Sequence, residues 1–164
     1  RKNIFSIALK GAKDTAAIVI LIAFASVVGR MFTVAGVPQQ LVKLMSGINM
    51  SATTFLIIFN LMLIVVGMFM EANTSILILT PLLLPIAEFY GIDPLHFGAI
   101  MLFNLLLGML TPPFASNLFV ACKVGNVPFN KIVPSVVPYI LVILPVLVLT
   151  TFVPKFSLFF VNLF

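Results

Sequence analysis

The residues best suited to chemistry stand in two short polar interruptions of long apolar runs. The first holds Gly67, Met68, Glu71, Asn73, Thr74 and Ser75; the second holds Thr111, Pro112, Pro113, Ser116 and Asn117. Where such a stretch unwinds a helix inside a membrane, freed carbonyl oxygens can coordinate Na+. The adjoining half-helix N-termini then offer amides and a positive dipole end to an anion. Either interruption alone also fits a packing kink, whereas the pair fits a binding site. Glu71 has two readings: an ion-related carboxylate, since charge within a membrane is costly and defaults to function, or a cap on the backbone amides of its own turn.

Other polar residues carry less chemistry. Asp93 precedes Pro94 and a new apolar run, which marks a helix N-cap. His96, in the first turn of that helix, reads as a contact residue. Ser116 and His96 lie twenty positions apart, and no nucleophile–base pair emerges, so the chain is not read as an enzyme. Cys122, the single cysteine, has no partner for an internal disulfide and no metal-ligand cluster around it.

Composition sets the solvent in which these residues work. Hydrophobic residues make up 62% of the 164 and charged residues 8%, against about 45–50% and about 25% in soluble domains. Nine basic and four acidic side chains cannot cover a water-exposed surface of this size, so the solvent is lipid. The net charge of +5 does not indicate nucleic acid, because the basic residues are scattered between Phe-rich runs. The chain starts Arg1, Lys2, Asn3 and has no signal peptide, which reads as a piece of a longer polypeptide.

These considerations predict an all-α integral membrane protein. Residues 1–14 form a cytoplasmic amphipathic lead-in and 15–50 a transmembrane helix with its outer connection. Residues 51–90 form a re-entrant hairpin with its tip at 67–74, because its helical arms, 51–66 and 75–88, at roughly 24 and 21 Å, fall short of a ~30 Å hydrocarbon core. Residues 94–122 form a transmembrane helix broken at 111–117, where consecutive prolines remove two donors and push Thr111 out of the helical region. Residues 132–154 form the last span, and 155–164 a tail on the outer side. Arg1, Lys2, Lys10, Lys13, Lys123 and Lys131 then face one side and Arg30, Lys43 and Lys155 the other, which makes the first side cytoplasmic.

Several motifs, in this order, carry a family likeness. Gly67-Met68-Phe69-Met70-Glu71 is followed by Thr80-Pro81, Pro85-Ile86-Ala87 and Gly91-Ile92-Asp93-Pro94-Leu95-His96-Phe97-Gly98. Gly108-Met109-Leu110-Thr111-Pro112-Pro113 and Asn117-Leu118-Phe119 complete the set. Over most of its length the chain resembles the C-terminal repeat of the large membrane subunit of the tripartite ATP-independent periplasmic (TRAP) transporters, of which sialic-acid and dicarboxylate transporters are members. The resemblance implies one inverted repeat of an elevator-type transporter in the bacterial inner membrane. It implies a Na+ gradient as driving force and a small organic anion delivered by a periplasmic substrate-binding protein. The implied partners are the remaining N-terminal part of the same subunit, a small membrane subunit (separate or fused) and membrane lipid. It also implies roles: Gly67, Met68, Glu71, Thr74, Thr111, Pro112 and Pro113 about Na+, and Asn73, Ser75, Ser116 and Asn117 facing the substrate. Ala115 departs from the pattern, standing where the family often has glycine. Two rival readings are a Na+/dicarboxylate symporter without a binding protein, against which the run from Gly91 to Gly98 argues, and a non-transporting membrane scaffold.

Overall fold

Helix starts are set by short polar residues placed before apolar runs. The Ser51 hydroxyl accepts from the Thr54 amide at 3.2 Å, the Glu71 carboxylate from the Thr74 amide at 3.0 Å, and Asp93 from the amides of Leu95 and His96 at 2.8 and 3.1 Å. Each takes up amides that a helix N-terminus leaves without an intrahelical acceptor. The computed structural model describes residues 2–48, 50–113 and 115–159. Its helices are α1 (Lys2–Val34), α2 (Val37–Ser46), α3 (Ala52–Phe69), α4 (Ala72–Phe89), α5 (Pro94–Gly108), α6 (Ser116–Gly125), α7 (Phe129–Phe152) and the short α8 (Pro154–Ser157). Among the described residues there is no strand. Four helices are long and apolar enough to cross a membrane: α1 from Ile4, α3, α4 and α7.

The centre of the bundle is the α3–α5 pair. Phe55, Phe59 and Leu63 of α3 are buried against Phe97, Ile100, Met101 and Leu105 of α5, with Ala72, Ile86 and Ala87 of α4 closing the cluster. A stacked aromatic row runs from Tyr90 through Phe55 and Phe59 to Phe97, with centroid separations of 4.8, 5.6 and 4.7 Å. Contacts between α3 and α5 advance in the same sense along both helices, Phe59 with Phe97, Asn60 with Asn104 and Gly67 with Gly108. The two helices therefore run parallel, with α4 returning between them. The helix α4 leans mainly on α1 and α2. Pro81 deprives the Leu77 carbonyl of its helical donor, and Gly29 of α1 sits against that oxygen so closely that a Cβ there would lie 2.8 Å away. By contrast α1 and α7 bury little, 12% and 6% of their most apolar windows, and show large apolar side chains such as Leu21, Phe24, Leu141 and Val142.

Several boundaries differ from those the sequence suggests. The lead-in and first span are one helix, because no proline stands in Lys2–Val34 and a lone glycine such as Gly11 does not end a helix. The outer connection contains α2, opened by the buried Pro38. The hairpin tip is two residues rather than eight: Met70 and Glu71 are extended, while Gly67 and Met68 end α3 and Asn73 and Thr74 open α4. Each arm has 18 residues, about 27 Å of helix, so length alone does not separate a hairpin that turns back at depth from two crossings. The second break begins earlier than Thr111. Pro112 cannot donate to Gly108, so the Gly108 carbonyl takes the Thr111 amide at 2.9 Å in a tighter turn. The last long helix starts at Phe129 and ends at Phe152, and the tail carries α8. Phe114 of the break and residues 160–164 of the tail lie outside the described residues.

Candidate ion and anion site

The polar tip is built by Glu71. Its carboxylate accepts from the Thr74 amide at 3.0 Å, the Thr74 hydroxyl at 3.3 Å and the Asn73 amide nitrogen at 2.8 Å. Its carbonyl accepts from the Ser75 hydroxyl at 2.9 Å and the Ser75 amide at 3.0 Å. Of its two sequence readings, the structure displays the cap. Thr74 spends its proton on the carboxylate and keeps its oxygen lone pairs. Asn73 is exposed, whereas Ser75 is fully buried with its hydroxyl turned back on its own helix. Across the turn, the carbonyls of Gly67 and Met68 belong to the last turn of α3, beyond the reach of its own helical donors.

The break is held by a parallel set of bonds. Met109 donates to Leu105 at 3.0 Å, Leu110 to Leu107 at 3.1 Å, and the Thr111 hydroxyl to the Leu107 carbonyl at 2.8 Å. As at Thr74, the proton is used and the lone pairs remain. The Pro112–Pro113 peptide is cis. Asn117 reaches back across the break, its amide 3.4 Å from the Met109 carbonyl. The helix α6 starts on Ala115 with no side-chain cap. Ser116 is its first residue; the Ser116 side chain lies outside the described residues.

Gly67 and Gly108 bring tip and break together. A Cβ on Gly67 would lie 2.7 Å from the Leu105 carbonyl oxygen and 3.1 Å from the Gly108 Cα; one on Gly108 would lie 2.6 Å from the Ile64 carbonyl oxygen. Tip and break each begin within three residues of this backbone-to-backbone contact, at the same end of two parallel helices. The structure thus brings the end of α3 where the tip begins beside the end of α5 where the break begins, and buries Ser75 in α4. The donors on offer are carbonyl and hydroxyl oxygens with one carboxylate, a set suited to a hard cation. Among the described residues no three His, Cys, Asp or Glu side chains group to hold a metal ion.

Sequence reasoning missed the polar residues that tie this region to the rest. Asn60 of α3 accepts from both Asn104 of α5 and Thr151 of α7. His96 binds Ser157 through Nδ1 at 2.6 Å. A lone asparagine in each of two apolar runs was the only available signal, and it named no partner.

Ala115 is fully buried and left-handed, with φ 39° and ψ 56°, a conformation that costs an L-residue about 1–2 kcal/mol. Ala115→Gly removes that strain but also a buried methyl worth about 0.8 kcal/mol, so stability and uptake should stay near wild type. Ala115→Val adds a branched side chain to the same conformation, with about 1–3 kcal/mol of overpacking on top. A several-degree fall in melting temperature and loss of uptake by the full-length protein are expected for valine only.

Residues 1–156 match the family model described as "Tripartite ATP-independent periplasmic transporter, DctM component". The chain is 38% identical over 158 residues to the isethionate TRAP transporter permease protein DctMQ of Oleidesulfovibrio alaskensis, covering 96% of this chain and 25% of that protein. It is 35% identical to the C4-dicarboxylate TRAP transporter large permease protein DctM of Pseudomonas aeruginosa, covering 92% and 35%. Identity is also 35% to the sialic acid TRAP transporter large permease protein SiaM of Vibrio cholerae, covering 95% and 37%. The chain therefore spans between a quarter and just over a third of the length of these relatives. With its apolar helices and this match along nearly its whole length, it is a multi-pass membrane protein and belongs to the DctM component family of the tripartite ATP-independent periplasmic transporters.

Proposed function

We propose that this segment supplies half of the transport site of a Na+-coupled secondary transporter that imports a small organic anion across the bacterial inner membrane by an elevator mechanism. The observation that carries the reading is the juxtaposition of two helix interruptions across the Gly67–Gly108 contact. Na+ would be held by last-turn carbonyls of α3, carbonyls of Pro112 and Pro113, and the lone pairs of Thr74 and Thr111. The remaining N-terminal part of the same subunit would supply the other half, with a small membrane subunit and a periplasmic substrate-binding protein completing the assembly. The substrates named for the relatives, isethionate, C4-dicarboxylates and sialic acid, share an acidic group, which supports an organic anion as cargo.

The capping pattern divides the anion's options. At the start of α4 the Glu71 carboxylate already occupies the amides, and a fixed negative charge there opposes a second anion. At the start of α6 the N-cap residue, Ala115, has no side chain that could do so, and Asn117 lies in the same turn. The substrate's acidic group is therefore assigned to the α6 side, with Asn73 of the exposed tip facing it.

The test is Na+-driven uptake by the full-length subunit with its partners in proteoliposomes. Thr111→Ala removes one oxygen ligand and is expected to raise the Na+ concentration for half-maximal uptake about tenfold, the scale of one charge-assisted contact of about 1.4 kcal/mol. Asn73→Ala is expected to raise the substrate KM with little change in Na+ dependence. Uptake unchanged in both variants would remove the basis for the proposal.

A further inference from the structure

Asn104 is fully buried in an otherwise apolar helix. Its Nδ2 donates to the Asn60 Oδ1 at 2.7 Å and to the Ile100 carbonyl at 2.7 Å. Asn60 in turn donates to the Leu56 carbonyl at 2.6 Å, and its Oδ1 also accepts from the Thr151 hydroxyl at 3.1 Å. One amide pair and one hydroxyl thus fasten α3, α5 and α7 to each other. Among the described residues the Asn104 Oδ1 has no partner, so the cluster is a poor device for stability; a leucine pair would fill the space with no unmet acceptor.

What an amide pair adds over leucines is position. Apolar side chains tolerate a slip along the helix axis, whereas a directional bond between two buried amides does not. A buried asparagine that fixes register at a cost in stability is the best-attested use of such groups. Asn60 lies seven residues before Gly67, and Asn104 lies seven before Thr111. The glycine contact above the cluster sets how near the helices come but leaves their relative height free, because its faces are bare backbone. A slip of one turn, about 5.4 Å, would move the tip past the break by more than two Na+–oxygen distances.

We infer that Asn60, Asn104 and Thr151 form a register lock: positioning residues that hold the hairpin tip and the helix break at one height so that their oxygens converge on the same ion. The lock rests on the reading of tip and break as a cation site, and its test separates the two. Nitroxide labels at the exposed positions Val65 and Leu106, in a full-length subunit otherwise free of cysteine, report the α3–α5 register by dipolar EPR without reference to Na+. In Asn104→Leu the distance distribution is expected to shift or broaden. Half-saturation by Na+ should rise at least fivefold while the melting temperature holds or rises. Thr151→Val should give the same changes in weaker form, and Thr151→Ser, which keeps the hydroxyl, should rescue them. Should Asn104→Leu fail to fold, the Thr151 pair carries the test.

Native distances together with native Na+ dependence in the folded Asn104→Leu and Thr151→Val variants would overturn the lock, as would a shifted register that leaves Na+ dependence untouched while Thr111→Ala alters it. If Thr111→Ala also leaves Na+ dependence untouched, the cation reading fails instead, and the EPR distances alone decide the lock.

Discussion

Gly108→Ala is expected to reduce uptake by the full-length transporter at least tenfold, with Gly67→Ala close behind. The added Cβ at position 108 would stand 2.6 Å from the Ile64 carbonyl oxygen and 2.7 Å from both the carbonyl carbon and the Cα of Gly67. Every one of these atoms is backbone, so no rotamer change relieves the contact, and the helices must separate or tilt. Overpacking of this kind costs about 1–3 kcal/mol, which a membrane bundle survives. The function is more exposed, because tip and break both begin within three residues of the contact, and a displacement of about 1 Å at reacting or liganding groups can cost about a hundredfold. Gly98→Ala in the same helix meets nothing within 4 Å and is the control that should behave as wild type. Uptake in proteoliposomes, with monodispersity of the purified protein as the check on folding, measures both. Normal uptake by Gly108→Ala would mean that the close approach has no functional part.

Glu71→Ala should abolish most uptake, and Glu71→Gln should keep the larger share of it. The alanine variant frees the Thr74 amide, the Thr74 hydroxyl and the Asn73 side chain at once. Loss of a helix cap costs about 0.5–2 kcal/mol, and removal of a negative charge from the positive end of the helix adds about 0.3–1 kcal/mol. The first turn of α4 then frays, and with it go the positions of Asn73 and Thr74. Glutamine retains a carbonyl oxygen for the Thr74 amide but loses the charge and the second acceptor oxygen, the one that takes the Asn73 side chain. Equal failure of both variants would assign the carboxylate a charge-dependent task, either binding the ion or balancing it, beyond the cap seen in the structure. Hydrogen exchange at the amides of residues 72–75 separates the outcomes, rising in the alanine variant alone if capping is the role.

The interruptions were legible in the sequence because the residues that make them are unlike their neighbours. Glycine, glutamate and a Pro-Pro pair stand out in runs of leucine, isoleucine and phenylalanine, and Asp93 before Pro94 announces a helix start that the structure displays. Their extent was not legible. Gly67 and Met68 read as part of the tip because they adjoin it, yet a glycine in a helix packed against another backbone looks the same in sequence as a glycine that ends one. Ser75 was grouped with Asn73 for its polarity, and only the turn of α4 decides that one faces outward and the other inward. Tertiary partners were beyond reach altogether: Gly67 with Gly108, Asn60 with Asn104 and Thr151, and Gly29 with the Leu77 carbonyl all join positions more than forty residues apart.

The pairing of Asn60 with Asn104 bears on how the protein is made. A translocon releases helices sideways into lipid one or a few at a time. Helices α1 and α7 are long and apolar enough to leave it singly. Helices α3 and α5 each carry an asparagine that finds an interhelical partner in the other, Asn104 donating to Asn60. Biogenesis should therefore retain α3 near the exit site until α5 has been synthesised, and a ribosome-stalling experiment with the arrest point moved past residue 104 would register the release as a discrete pulling event.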